Sequence, residues 1–424
     1  MLLRVSLARF SLIALFLAAT SVGAQEDHSG HDMPADPAKG PTVMAGAAGI
    51  LLGTVASPGV NNRTLAEGYL TQPMVMAMLM TPGGRFVSDL TLDFEGTTLR
   101  RGELNAGVHG EGYIDRRHPH TLVHELVGTG FIGGGAVRFS VTGGKGFVPF
   151  GTDDPMSRPF VKYPVNHHLA QILERGLLIG AVSAGPFVAE ASYFNGDEPQ
   201  GAYDLPNWDR FGDSWSSRVT ARRSGFELQA SYARVESPEH ASGNGLNHKK
   251  VSTSARFERG GRYVLVEWAR SEEGEGNSTD FTFHSVLGEG SLSAGRFTLA
   301  ARAERTDRPE HERDVNPFRT PQPHSDLGII GITRWDVLTS NVSATLPSYR
   351  KVRFAPFVEI STQHPVSKLT PSVFEPAEFY GAARLWSFSA GMRIGGGMKH
   401  DRMGRYGVAA ANRMSPSSPH AGMQ

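Results

Sequence analysis

The sequence predicts an all-β fold, a transmembrane antiparallel β-barrel of about 14 strands (roughly 12 to 16), with a short helical segment near 120–127. Three observations carry this. From about residue 70 onward, apolar and polar residues alternate with period two, so each segment has one apolar and one polar face. The connections switch between tight glycine-bearing turns and long polar loops, as outer-membrane barrels do and soluble sandwiches have no reason to do. After residue 24 no apolar run approaches the ~20 residues of a spanning helix.

Residues 1–24 read as a signal peptide. Arg4 and Arg9 give a positive start, 11–19 an apolar core, and Val22 and Ala24 the small residues that precede cleavage. Residues 25–68 read as a flexible polar N-terminal segment, Pro-rich at its start. The barrel is expected over 69–406. Its strands are placed at 72–80, 85–95, 128–141, 176–184, 186–195, 214–222, 226–235, 250–258, 263–270, 280–289, 296–304, 327–336, 352–362 and 383–394. The turns 223–225, 259–262 and 290–295 are short, whereas 196–213, 236–250, 271–279 and 305–326 are long and polar. Aromatics near strand ends (Tyr193, Phe194, Trp208, Trp215, Tyr263, Trp268, Trp335, Trp386) suit interfacial girdles or ordinary core packing.

The least regular region is 97–175, with a helical candidate at 121–127 and a Pro-containing stretch at 147–164. So long a connection in a barrel is expected to fold inward as a constriction or plug. The last good strand ends near Ile394, so either Tyr406 marks the true strand end or the chain beyond Ile394 hangs below the barrel. Residues 407–424 are assigned as a disordered tail.

Composition removes several function classes. There is no cysteine, which excludes disulfides, thiolate metal sites, a cysteine nucleophile and a lipoprotein anchor. Forty-two basic residues balance 42 acidic ones, giving no electrostatic case for nucleic acid. No nucleophile elbow or P-loop is present, so no enzyme activity is expected.

The densest reactive cluster is 113–126 (YIDRRHPHTLVHEL), with Asp115, His118, His120, His124 and Glu125. If 120–126 is helical, His120 and His124 share a face and could chelate zinc or copper, with Asp115 or Glu125 adding a carboxylate. The competing reading is that these groups hydrogen-bond inside the lumen. His167 and His168 form a further pair. A second candidate is His28, His31 and Met33 in the N-terminal segment, where imidazole and thioether suit copper.

The stretch Tyr113-Ile114-Asp115-Arg116-Arg117-His118-Pro119-His120, with Glu125-Leu126, resembles a Gram-negative outer-membrane protein family that carries a DRxHPH segment. Further echoes are 164–168 (PVNHH) and 192–199 (SYFNGDEP). The resemblance implies a barrel in the outer membrane. Because some members are encoded beside heavy-metal (copper) efflux systems, it also implies a link to metal. The Met/His segment is similar to the tails of copper-resistance outer-membrane proteins, without their repeats. The expected function is therefore a porin-like channel or small-solute binding barrel, with outer-membrane lipid and small solutes as partners. The alternative is copper or zinc handling through the histidines at 118–124.

Overall fold

A computed structural model describes residues 40–57, 64–98, 120–311, 329–368, 373–398 and 402–410. Among them, sixteen strands form one closed sheet. The first five are β1 Thr42–Ser57, β2 Leu65–Met80, β3 Phe86–Asp93, β4 Val123–Gly134 and β5 Val137–Gly146. Next come β6 Arg175–Ala184, β7 Phe187–Phe194, β8 Ser214–Arg223, β9 Phe226–Val235, β10 Asn247–Arg259 and β11 Arg262–Gly274. The sheet finishes with β12 Phe281–Ala294, β13 Phe297–His311, β14 Ile329–Ala344, β15 Val352–Ser367 and β16 Leu385–Gly397. Each strand pairs antiparallel with its sequence neighbour. β1 closes on β16 from Gly46↔Gly397 to Ser57↔Trp386, so the sheet has no free edge.

The polarity is inside out. On β9, Phe226 and Leu228 are each 61% exposed, whereas Glu227, Gln229 and Ser231 between and after them are buried. The same alternation puts Val264 and Val266 outside and Leu265 and Glu267 inside on β11, and Val358 and Ile360 outside and Glu359 and Ser361 inside on β15. An apolar outer wall around a polar interior is stable only in lipid, where a closed barrel also pairs its whole backbone. The protein is thus a transmembrane barrel of the outer-membrane type.

One end carries short turns. Ser224-Gly225 and Gly260-Gly261 both have positive φ at their two central residues, the two-residue hairpin geometry that glycine permits. The other end carries the long connections 94–122, 147–174, 195–213 and 236–246. The girdle reading of the aromatics divides. Tyr193, Trp208, Trp215 and Trp386 are exposed towards the long-loop end, and Phe187, Phe226 and Phe297 stand exposed at the short-turn end. Phe194, Tyr263 and Trp335 face inward and pack in the interior.

Four sequence expectations are corrected. The segment near 120–127 is not helical, because from Val123 it is strand β4, hydrogen-bonded to β3 and β5 on both sides. Two-sided pairing satisfies its backbone and overrides the i, i+4 pattern of the histidines. The single strand expected at 128–141 is two, β4 and β5, reversed at Gly133–Gly135, where Gly133 and Gly135 take positive φ. The segment 25–68 is not wholly a flexible lead-in, because 42–57 is β1 and β2 begins at Leu65. Its Gly/Ala-rich sequence hides the alternation in which Ile50, Leu52, Thr54 and Ala56 face inward. These two changes bring about 14 strands to the sixteen observed. Finally, Gly407–Ala409 is not part of a loose tail but a buried helical turn within the lumen. The leader at 1–24 lies outside the described residues.

Candidate functional site in the barrel lumen

Two segments lie inside the lumen and meet. The first is the β5–β6 connection, 147–174, which enters from the long-loop end and is buried almost throughout. Inward-facing carboxylates hold it across the barrel. Val161 N donates to Glu359 Oε2 at 2.8 Å and Lys162 N to Glu359 Oε1 at 2.7 Å. Val165 N donates to Glu304 Oε2 at 2.8 Å, and Asn166 Nδ2 to Glu267 Oε1 at 2.8 Å. Carbonyls of the same segment accept from wall cations: Lys162 O from Arg302 at 2.7 Å, His168 O from Lys250 at 2.7 Å and Gly151 O from Arg218 at 3.3 Å. The segment therefore spends its backbone polar groups on the wall, which is how an irregular chain can be buried at membrane depth. Phe147, Val148, Phe150, Val161, Tyr163 and Ile172 add an apolar cluster with Ile50, Leu52 and Phe357 of the wall.

The second segment is 402–410, after β16 at the short-turn end. Arg402 donates Nε to Asp153 Oδ2 and Nη2 to Asp153 Oδ1, both at 2.7 Å, and also reaches Glu227 at 2.7 and 2.8 Å. Arg405 donates to Glu227 Oε1 at 3.2 Å and Thr220 Oγ1 at 3.1 Å. Arg256 of β10 also pairs with Asp153. Burial alone would raise the Asp153 carboxyl, but Arg402, Arg256 and Arg405 hold it well below the usual range. Tyr406 Oη accepts from Phe147 N at 3.0 Å, and its hydroxyl also hydrogen-bonds Glu125. The sequence offered a strand end at Tyr406 or a hanging tail. The chain instead turns back into the lumen and locks onto the inward connection.

A third group sits on the inner wall towards the long-loop end. β4 carries a bulge: Glu125 pairs with Thr91 and Val123 with Leu92, leaving His124 as the extra residue. The bulge turns both His124 and Glu125 inward, which plain alternation would forbid. His124 Nδ1 lies 2.7 Å from Glu174 Oε1, and Thr121 N also donates to that carboxylate at 3.1–3.2 Å. His120 Nδ1 lies 3.0 Å from Glu95 Oε2 and 3.8 Å from Asp93 Oδ2. Glu95 Oε1 accepts from the Thr71 hydroxyl, and Asp93 Oδ1 from Glu95 N at 2.8 Å. Burial opposes a charge on His120, but its hydrogen bond to Glu95 and the carboxylates of Glu95, Asp93 and Glu174 outweigh it and raise its pKa to about 10. Burial would likewise raise Glu174, but the charge and hydrogen bond of His124, with His120 and Lys145, lower it to about 2.

Of the sequence candidates, His120 and His124 do come together, with ring centroids 4.9 Å apart. Glu125 does not join them. It accepts from Thr91 Oγ1 at 3.2 Å and serves the Tyr406 anchor instead. Asp115, His118, His28, His31 and Met33 lie outside the described residues. Sequence reading missed Asp93, Glu95 and Glu174 as site residues. Asp93 stood on the polar face of the 85–95 alternation, which was the available signal, whereas Glu95 and Glu174 are brought in by sheet register and by the inward connection.

No family model matches the chain, and no curated protein matches it. Solved structures do. The chain is similar to the anion-selective porin from Comamonas acidovorans, with TM-score 0.53 and 10% identity over 84% of this chain and 99% of that one. Matches also include OmpT, an outer-membrane protein of Vibrio cholerae, with TM-score 0.48 and 10% identity over 85% of this chain and 100% of that one. The outer-membrane channel DcaP of Acinetobacter baumannii matches with TM-score 0.47 and 9% identity over 85% and 98%. At such identities the likeness to the Comamonas porin speaks to the fold, a sixteen-stranded porin-type barrel.

Proposed function

We propose that the protein is an outer-membrane channel for small solutes, acting by transport rather than catalysis, in which 147–174 narrows the lumen and 402–410 holds that connection in place. The carrying observation is the lumen itself. Charged side chains line it on β7, β8, β11, β13 and β15 (Glu190, Arg218, Glu267, Arg302, Glu359), inside a wall that is apolar outward, and hydrogen bonds to wall side chains help fasten the inward connection. A polar, charged interior behind an apolar outer wall is what a water-filled porin-type lumen has. Reconstituted full-length protein should let liposomes swell in small uncharged sugars and exclude larger ones. Proteoliposomes that swell no faster than empty ones would sink the reading.

A further inference from the structure

We propose that Asp93, Glu95 and His120 form a binding site for a divalent first-row transition-metal ion, Zn²⁺ by donor chemistry, at the long-loop end of the lumen. One donor atom from each of these buried side chains lies within 4.8 Å of the other two. Donors about 2.0–2.2 Å from one ion stand roughly 3–4 Å apart, so these three atoms can share an ion after a small inward shift.

One unpartnered atom in this cluster points to a cation. Asp93 is 1% exposed, and its Oδ2, which faces His120 at 3.8 Å, has no hydrogen-bond partner. His124 is fully buried, and its Nε2 has no partner either. Buried polar atoms without partners are uncommon and call for a cause. A histidine–carboxylate ion pair explains His120 and Glu95 but leaves both of these atoms unsatisfied, and a bound cation beside Asp93 accounts for the first directly.

The surroundings resemble the outer support of a metal site. The Thr71 hydroxyl and the Glu95 backbone N–H fix the two carboxylates. A cleft lined by His120, Tyr163, His167, His168 and Glu174 adjoins the cluster and gives an ion a way in. An oxygen–oxygen–imidazole set favours Zn²⁺ and its neighbours over Ca²⁺ or Mg²⁺, which prefer oxygen alone. The site does not depend on the channel reading, since it needs only the folded barrel.

The test uses refolded full-length protein titrated calorimetrically with Zn²⁺, with Ca²⁺ as the comparison cation. The expected result is one Zn²⁺ per chain and no comparable Ca²⁺ binding. Asp93→Asn and Glu95→Gln each weaken Zn²⁺ by ~10-fold or more. His284→Ala, on the outer face of β12, leaves affinity unchanged. Absence of stoichiometric Zn²⁺ binding, or unchanged affinity in Asp93→Asn and Glu95→Gln, overturns the site. If those variants do not fold, judged by heat-modifiable gel migration, Co²⁺ bound to the unaltered protein decides. Visible ligand-field bands displaced by Zn²⁺ support the site, and their absence overturns it.

Discussion

Glu359 shows how much of the lumen rests on single side chains. Its carboxylate accepts two backbone N–H groups of the inward connection and, from the wall, Asn341 Nδ2 at 2.9 Å. Glu359→Ala leaves Val161 N and Lys162 N buried without partners, at roughly 1–3 kcal/mol each. Hydrogen exchange at Val161 and Lys162 should then speed at least ~10-fold, since each ~1.4 kcal/mol is a factor of ten, while strand amides keep their rates. Unchanged exchange would mean that the apolar cluster alone holds the segment. At this scale the sequence was partly legible. His120, His124 and the inward face bearing Asp93 could be read from composition and alternation. Glu174 could not, because it is 50 residues from His124 and reaches it only once β4, β5 and the inward connection are in place.

Among the elements, regular strands with tight glycine turns were legible, and departures from regularity were not. β9 and β16 declare themselves by alternation. β1 does not, since its glycines and alanines carry little polarity contrast, and only barrel closure on β16 reveals it. The bulge at His124 was illegible for a related reason: an extra residue breaks the period, and the histidine spacing it creates imitates a helix. The 402–410 segment was hidden because it is neither strand nor low-complexity tail. Its fit is narrow. Gly407 has φ +53°, and a Cβ there would collide with the Ser140 side chain. Gly407→Val is expected to expel the segment while leaving the sixteen strands paired. Trypsin should then cut after Arg402 and Arg405, which are protected in the unaltered protein. Equal protection in the variant would show that the segment tolerates the side chain and is held less tightly than the geometry implies.

At the scale of the whole molecule, one surface feature and one interior feature define the protein. The apolar exterior places the sheet in a membrane, and this was readable from alternation joined to loop-length order. Two segments enter the interior from opposite ends, 147–174 and 402–410, and meet at Asp153. Only the first of these was foreseen, from the length of the region. The meeting point joins Asp153 and Glu227 to Arg402 and Arg405, and removing one side of such a buried ion cluster costs on the order of 3–5 kcal/mol. Such a loss favours release of the segment. A solute pathway is proposed to run through this barrel, restricted by segment 402–410. Single-channel recording in planar bilayers tests it most directly, comparing the unaltered protein with the Arg402→Ala, Arg405→Ala double variant. Small, infrequent openings are expected for the former and a larger, longer-lived conductance for the latter. Two silent traces, or identical conductances, would contradict it.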